Sequence, residues 1–424
     1  MLDPAQPGGR RERVALVLAG GGARGAYEVG ALAALAPALS ASGETPDILV
    51  GTSIGALNSA FFAARADDPL EATAAAGLEM WRELHWGDAL RPLASPSELG
   101  RLLGAIAMFA RLPGPSLPGL LDPSPLSSTL ERLVAFDRIA RNVQDGALTA
   151  AAVVATAYAT TRSVVFHHGG PTPPPDPVRA IDYFATPLAP EHVLASAAIP
   201  GAFPAVEIRQ PPTAAGWYSD GGVRLNAPLK PALALGADRV VVIGLNSSVT
   251  PAQTSARPDA LDGVAQLLQV VLADQLADDV ATLATVNETI APAGTAVSSA
   301  GRRTIPYIFI APSDRLEIGR LARDVYKRRY ASIRGLARDS NLALLGRAVN
   351  AKRSAVHGEL LSYLFLAREF INELIALGER DAKHWLNTQH DAGLWQIAPF
   401  PPAPQAKHQP TAGLAHVDLA QTRA

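Results

Sequence analysis

Cysteine is absent from all 424 residues. Its absence excludes disulfides, thiolate metal centres and cysteine nucleophiles together. It leaves the compartment open, because a chain without thiols folds on either side of a membrane; the cytoplasm is the default expectation. An excess of either charge is missing too. Lys+Arg 37 against Asp+Glu 39 gives a formal net charge of −2, so no global basic field draws in nucleic acid or an anionic membrane, and any membrane contact has to be local. No stretch of about 18 uninterrupted apolar residues occurs, so no transmembrane segment is expected. Arg10, Arg11 and Arg13 precede an apolar run of only about six residues, which suits a strand and not a signal peptide. With 48% hydrophobic and 18% charged residues the chain is globular, long enough for one large α/β domain with insertions or for two domains.

What is present alternates between strands and helices. "VALVLA" at 14–19 is a continuous apolar run suited to a strand buried on both faces. The following "AYEVGALAALAPAL" places Tyr27, Leu32 and Leu35 on one helical face, and Pro37 closes the pattern. "DILVGTSIGALNSAFFAARA" repeats the arrangement as strand, tight turn and helix. Residues 70–140 read as mostly helical with proline interruptions, and "LPGPSLPGLLDPSPL" at 112–126 as loop. Strands resume at "AAVVATAYAT" and "SVVFHH", with "GGPTPPPDP" an exposed connection, and again at "ADRVVVIGL" and "TIPYIFIAP". Val264, Leu267, Leu268, Val271, Leu272 and Leu276 keep the spacing of an amphipathic helix. "ELLSYLFLAREFINELIALGERDAKHWL" reads as one long helix, and after Phe400 the sequence lacks any sustained period and reads as a loose tail. The expected division is a flexible stretch over 1–11, a catalytic domain over 12–315 with a helical and loop insertion near 70–140, a C-terminal helical region over 316–398 and a disordered tail over 399–424.

Two glycine motifs carry the chemistry. In "GGGARG", Gly20, Gly22 and Gly25 fit the G-x-G-x-x-G of a dinucleotide-binding turn, which would make the chain a nucleotide-binding oxidoreductase. That reading needs an acid at the C-terminal end of the second strand; Asp47 lies at the right distance but precedes "ILV", at the opposite edge of the sheet. At the required end stands "GTSIG", a G-x-S-x-G nucleophile elbow. Gly51 and Gly55 make room where the turn doubles back, and Ser53 is exposed at a helix N-terminus. Loops after neighbouring parallel strands emerge at one edge, so amides of Gly21 and Gly22 can face a carbonyl under attack by Ser53. Arg24 either holds the loop or binds a substrate phosphate, although an exposed loop arginine is the plainer reading.

A serine nucleophile needs a base, and none of the histidines, such as His167, His168, His192 or His357, lies in a recognisable catalytic setting. In "GWYSDGGVRLNAPL", Asp220 precedes Gly221 and Gly222 in a tight turn able to aim a carboxylate into a cleft, though such a turn taken alone is more often structural.

The order "GGGARG", "GTSIG", "DGG" resembles the patatin-like phospholipases, and "ASAAIPGAFPAV", "DGGVRLNAPLKPALALGADRVVVI" and the C-terminal helix extend the resemblance over about residues 12–385. The stretch near 70–140 and the loops near 170 and 250 match least. The resemblance implies a three-layer α/β fold with a mostly parallel central sheet, helical insertions and a C-terminal helical extension. It implies a Ser-Asp dyad of Ser53 and Asp220, and an oxyanion hole in the loop of Gly20, Gly21, Gly22, Arg24 and Gly25. It also implies no metal and no cofactor. An unperturbed aspartate, with a pKa of about 3.9, is a poor proton acceptor, so burial has to raise its basicity. The expected function is hydrolysis of fatty-acyl esters of phospholipids or lysophospholipids, the partner being a lipid ester met at a membrane surface. A neutral-lipid esterase or acyltransferase with the same dyad, and a catalytically silent lipid-binding member, are the alternatives. In "LGRLLGAIAMFARLPG" at 99–114, Leu99, Leu102, Leu103, Ile106 and Phe109 share a helical face opposite Arg101 and Arg111, which reads either as a core helix or as a mobile interfacial cap.

Overall fold

The computed structural model describes residues 11–93, 119–245, 276–290, 303–388 and 390–399. Its frame is a nine-stranded sheet in the order β5-β4-β3-β2-β1-β8-β9, with β7 paired to β3 and β6 to β7. The strands are β1 (Val14–Leu18), β2 (Ile48–Thr52), β3 (Ala150–Ala157), β4 (Ser163–His168), β5 (Ile181–Ala185), β6 (Val206–Ile208), β7 (Gly216–Asp220), β8 (Arg239–Ile243) and β9 (Tyr307–Ile310). From β3 through β2, β1 and β8 to β9 every pairing is parallel. Helices flank this sheet, so its central strands are buried on both faces; that is why β1 and β2 are unbroken apolar or small-residue runs with every residue buried.

Helix α1 (Gly25–Ala41) follows β1 and helix α2 (Ile54–Ala63) follows β2, each starting at the C-terminal edge of the sheet, and α3 (Leu70–Glu83) comes next. The helix Arg368–Leu386 packs along α1. The two approach closely at small residues: a Cβ on Gly378 would run into the Tyr27 carbonyl, and one on Gly30 into the Ile375 backbone. The Tyr27 hydroxyl donates to Asp381 Oδ2 at 2.9 Å across the same contact.

The elements depart from the sequence pattern in four places. Helix α1 runs through Pro37 to Ala41; proline forfeits one helical hydrogen bond, but Leu35, Ala36 and Leu39 on either side of it are buried, and packing carries the helix past the break. The last three residues of the proline-rich stretch already belong to the helix Ser124–Leu133, whose first turn tolerates Pro125 because the missing N–H has no partner there. The long C-terminal helix is two helices, Ala355–Ser362 and Arg368–Leu386, with residues 363–367 as an irregular link. Strands β5, β6 and β7 are short, and none of them is marked by an apolar run in the sequence.

Asp47 sits at the N-terminal edge of the sheet, where its carboxylate accepts the Val14 N–H at 3.0 Å and the Thr149 hydroxyl at 2.7 Å. It stitches strand beginnings together and is remote from the glycine loops. The segment 99–114, residues 264–275 of the amphipathic pattern and the tail from Phe400 lie outside the described residues. Among the described residues no helix is long and apolar enough to cross a membrane.

Candidate active site

Strand β3 assembles the site. On one flank it pairs continuously with β4 from Ala151 to Thr156. On the other flank β2 pairs with it up to Thr52 opposite Val154, and β7, running the other way, takes over with Asp220 opposite Ala155. The last residues of two strands therefore meet head to head along one neighbour. Ser53 follows Thr52, and its hydroxyl donates to Asp220 Oδ2 at 2.7 Å across 167 residues of sequence.

Ser53 occupies an unusual backbone conformation, φ 54° and ψ −119°, which a side chain rarely adopts and which costs of order 1–3 kcal/mol. The turn is enforced from both sides. A Cβ on Gly51 would strike the Gly55 carbonyl, and one on Gly55 would strike the carbonyls of Leu18 and Ala19. The Ser53 N–H donates to Ser196 Oγ at 2.8 Å, and the Ser196 hydroxyl passes on to the Val154 carbonyl. The amide of Ser53 is thereby occupied, while its side chain, 6% exposed, lines a small pocket with Gly20, Gly21, Gly22 and Asp220.

Asp220 is 1% exposed. Its Oδ1 accepts the Gly222 N–H at 2.7 Å, its N–H donates to the Ala198 carbonyl at 2.9 Å, and its carbonyl accepts the Thr156 hydroxyl at 3.0 Å. Burial pushes its carboxyl up to about 7, against the opposing pull of the hydrogen bonds from Ser53 and Gly222. Such a carboxylate is a far better proton acceptor than one in water.

The glycine loop lies beside this pair. Gly20 and Asn226 bond to each other twice, the Gly20 N–H to the Asn226 carbonyl at 3.2 Å and the Asn226 amide to the Gly20 carbonyl at 3.3 Å. Gly22 has φ +61°, and a Cβ there would run into the Tyr363 carbonyl, which accepts the Ala23 N–H at 2.8 Å. The Arg24 N–H reaches back to the Gly21 carbonyl and the Gly25 N–H to Gly22 and Ala23. The amides of Gly21 and Gly22 alone in this loop have no hydrogen-bond partner among the described residues.

A second, larger and almost wholly apolar pocket adjoins Ser53, walled by Leu57, Trp81, Leu90, Phe203, Leu364 and Leu366. No histidine lines either pocket among the described residues. His167 points at the Gly169 carbonyl, and His192 accepts the Ala189 N–H and faces the Gln210 carbonyl.

Ser53, Asp220, Gly20, Gly21, Gly22, Gly51, Gly55, Gly221 and Gly222 are thus gathered at one sheet edge. Arg24 differs from its plainer reading: it is 1% exposed and paired with Glu359 at 2.6 Å, so it holds the loop from behind and has no face towards a substrate phosphate. Ser196, Asn226 and Tyr363 are site residues that the motifs do not announce. Asn226 had a signal, lying six residues beyond Asp220 in the same turn-forming segment; the other two act through a hydroxyl and a main-chain carbonyl that any loop also offers.

Two stability measurements follow from this geometry. Ser53→Gly removes the strained side chain, and we expect it to raise Tm although glycine loosens the unfolded chain, since a strain of order 1–3 kcal/mol exceeds that cost; thermal unfolding at neutral pH checks this, and an unchanged or lower Tm would contradict it. For Asp220, the folded carboxyl titrates near 7 and the unfolded one near 3.8, so the native state holds a proton that the unfolded chain releases between those values, and stability falls as pH rises through that window. Asp220→Asn removes the liability, and its gain in Tm over the wild type is expected to be larger at pH 8 than at pH 4. Equal gains at both would show that Asp220 titrates normally.

A family model described as patatin-like phospholipase matches residues 16–233. VipD from Legionella pneumophila is a similar solved structure at 14% identity and a TM-score of 0.28, the match covering 72% of this chain and 62% of VipD, so the chain spans less than two thirds of that protein's length. Comparison with curated proteins returned no match. With its elbow, glycine loop and aspartate turn inside a family match of just over half its length, the chain belongs to the patatin-like phospholipases, a family of lipid acyl hydrolases.

Proposed function

We propose that this chain hydrolyses fatty-acyl esters of phospholipids or lysophospholipids, with Ser53 as nucleophile, Asp220 as general base and the amides of Gly21 and Gly22 as oxyanion hole. The observation that carries the reading is the 2.7 Å contact between Ser53 Oγ and a buried Asp220 carboxylate whose basicity is raised. In the first half-reaction Ser53 Oγ attacks the ester carbonyl as its proton passes to Asp220 Oδ2. The carbonyl oxygen becomes an oxyanion beside Gly21 and Gly22, and collapse of the tetrahedral adduct expels the alcohol, which takes the proton back from Asp220. Water then enters, gives a proton to Asp220, attacks the acyl-Ser53 carbonyl and releases the fatty acid, with the proton returned to Ser53 Oγ. Each half-reaction begins and ends with Asp220 ionised.

Three further features support the reading. The amides of the buried Gly21 and the half-buried Gly22 have no partner among the described residues and border the pocket that holds the Ser53 side chain; a buried amide left unpaired is uncommon in folded proteins. The adjoining apolar pocket has the chemistry to take the acyl chain out of water, where each methylene is worth about 0.8 kcal/mol. Asp47, the acid that a dinucleotide would need, is engaged at the far edge of the sheet.

Incubation of the purified chain with phospholipids, lysophospholipids and triacylglycerols, followed by mass analysis of the products, tests the substrate class. Release of fatty acid from the first two supports the proposal, and exclusive turnover of triacylglycerols would replace it with a neutral-lipid esterase. Ser53→Ala and Asp220→Asn are each expected to lower kcat by at least about 10²-fold, with a fluorophosphonate labelling Ser53 in the wild type only. Because Asp220 accepts a proton only when ionised, kcat/KM is expected to rise with pH through about 7 and level off above it. A profile already flat at pH 5 would remove Asp220 from the role of base.

A further inference from the structure

The C-terminal helices lie outside the residues 16–233 that match the family, yet one of their turns is built onto the glycine loop. The junction is a buried charged pair. Arg24 Nε donates to Ser362 Oγ at 2.7 Å, and one terminal nitrogen donates to Glu359 Oε2 at 2.6 Å and to the Glu359 carbonyl at 3.0 Å. The guanidinium also lies 4.0 Å from the centre of the Tyr363 ring. Glu359 is 4% exposed, and its other oxygen accepts the Gly319 N–H at 2.6 Å, which anchors it to the helix Glu317–Arg329.

The loop is therefore held at two ends. Asn226, from the aspartate turn, fixes Gly20; the C-terminal region fixes Ala23 through the Tyr363 carbonyl and Arg24 through Glu359. Between these tethers lie only Gly21 and Gly22, whose amides have no hydrogen-bond partner among the described residues. Glycines have no side chain to hold them by, so their orientation is set by what grips their neighbours. An oxyanion hole stabilises a transition state only when its donors are aimed in advance, and an error of about 1 Å in placement costs roughly 10²-fold in rate. A buried ion pair gives little net stability over an apolar pair of the same volume, so its place at this loop is better explained by geometry than by stability.

We propose that Glu359 is a positioning residue for the glycine loop: acting through Arg24, it aims the Gly21 and Gly22 amides at the carbonyl oxygen of the ester that Ser53 attacks. The inference rests on Ser53 as nucleophile and extends that reading to the helices beyond the family match.

The test uses the full chain, a short-chain p-nitrophenyl ester and a fluorophosphonate. Glu359→Gln keeps the side-chain volume and the acceptor for Gly319 while discharging the pair. It is expected to lower kcat roughly 10- to 100-fold with KM changed by less than about twofold, because a ground-state carbonyl draws little on the hole. The rate of Ser53 labelling should fall alongside kcat, since the phosphonyl oxygen enters the same hole. The double variant Arg24→Met, Glu359→Leu leaves no lone buried charge and is expected to fold with the same loss in kcat. A folded variant of either kind with kcat within about twofold of wild type, whatever its Tm, would overturn the proposal. So would failure of both to fold, which would make the pair a determinant of the fold and not of the loop. Absence of labelling at Ser53 in the wild type would instead overturn the nucleophile assignment, independently of Glu359.

Discussion

Two strands ending against the same flank of a third is the constraint on which the site depends. Strand β2 stops at Val154 and β7 arrives at Ala155 from the opposite direction. Neither strand can extend by a residue without colliding with the other, so both must turn away from the sheet at that point. The turn after β2 throws Ser53 into its left-handed conformation, and the turn after β7 needs Gly221, where a Cβ would strike the Val154 carbonyl. The two side chains at the junction are then neighbours because the backbone leaves them nowhere else to go. A register shift of one residue in β7 would place Ser219 opposite Ala155 and send the carboxylate to the other face of the sheet.

The same junction sets the electrostatics. Asp220 is buried, with hydrogen bonds from Ser53 and Gly222 and no cation against it among the described residues. A cation would stabilise the ionised form and return the carboxyl to the ordinary acidic range, where it could not take a proton from a serine. Arg24, the nearest arginine in the chain to the glycine motif, is turned away into Glu359 and neutralised there. The arrangement keeps Asp220 basic at the expense of native-state stability, a trade that active sites with strained or desolvated groups commonly make.

Much of this was legible in the sequence, and what was not follows from particular residues. Strands β1, β2, β8 and β9 read correctly because a parallel sheet buries both faces and leaves uninterrupted apolar runs. Helices α1 and α2 read correctly in their starts, though α1 runs past the Pro37 that closes its sequence pattern. The glycines at 51 and 55 carried a steric reason that does not depend on context. Strand β7 did not read as a strand, since "GWYSD" gains its pairing from the free upper part of β3 and not from its own pattern. The break at 363–367 was hidden for a similar reason: "YLFLA" is apolar enough to continue a helix, but the Tyr363 carbonyl is taken by Ala23 and the link packs against Gly22. Arg24 looked like a surface residue because its partner lies 335 positions away. Local pattern reports which residues want burial; it carries no record of a long-range partner.

Around Ser53 the backbone donors are almost all engaged. Every buried amide and carbonyl must find a partner, and here nearly all do: Ser53 N–H with Ser196, Gly20 with Asn226, Ala23 with Tyr363, Arg24 with Gly21, Gly221 with Ser196 and Gly222 with Asp220. Each of those bonds fixes a piece of backbone and at the same time withdraws a donor that would otherwise compete for an incoming oxygen. Among the described residues of the loop, the donors left are two adjacent glycine amides, clamped at both ends and bordering the pocket where the Ser53 hydroxyl lies.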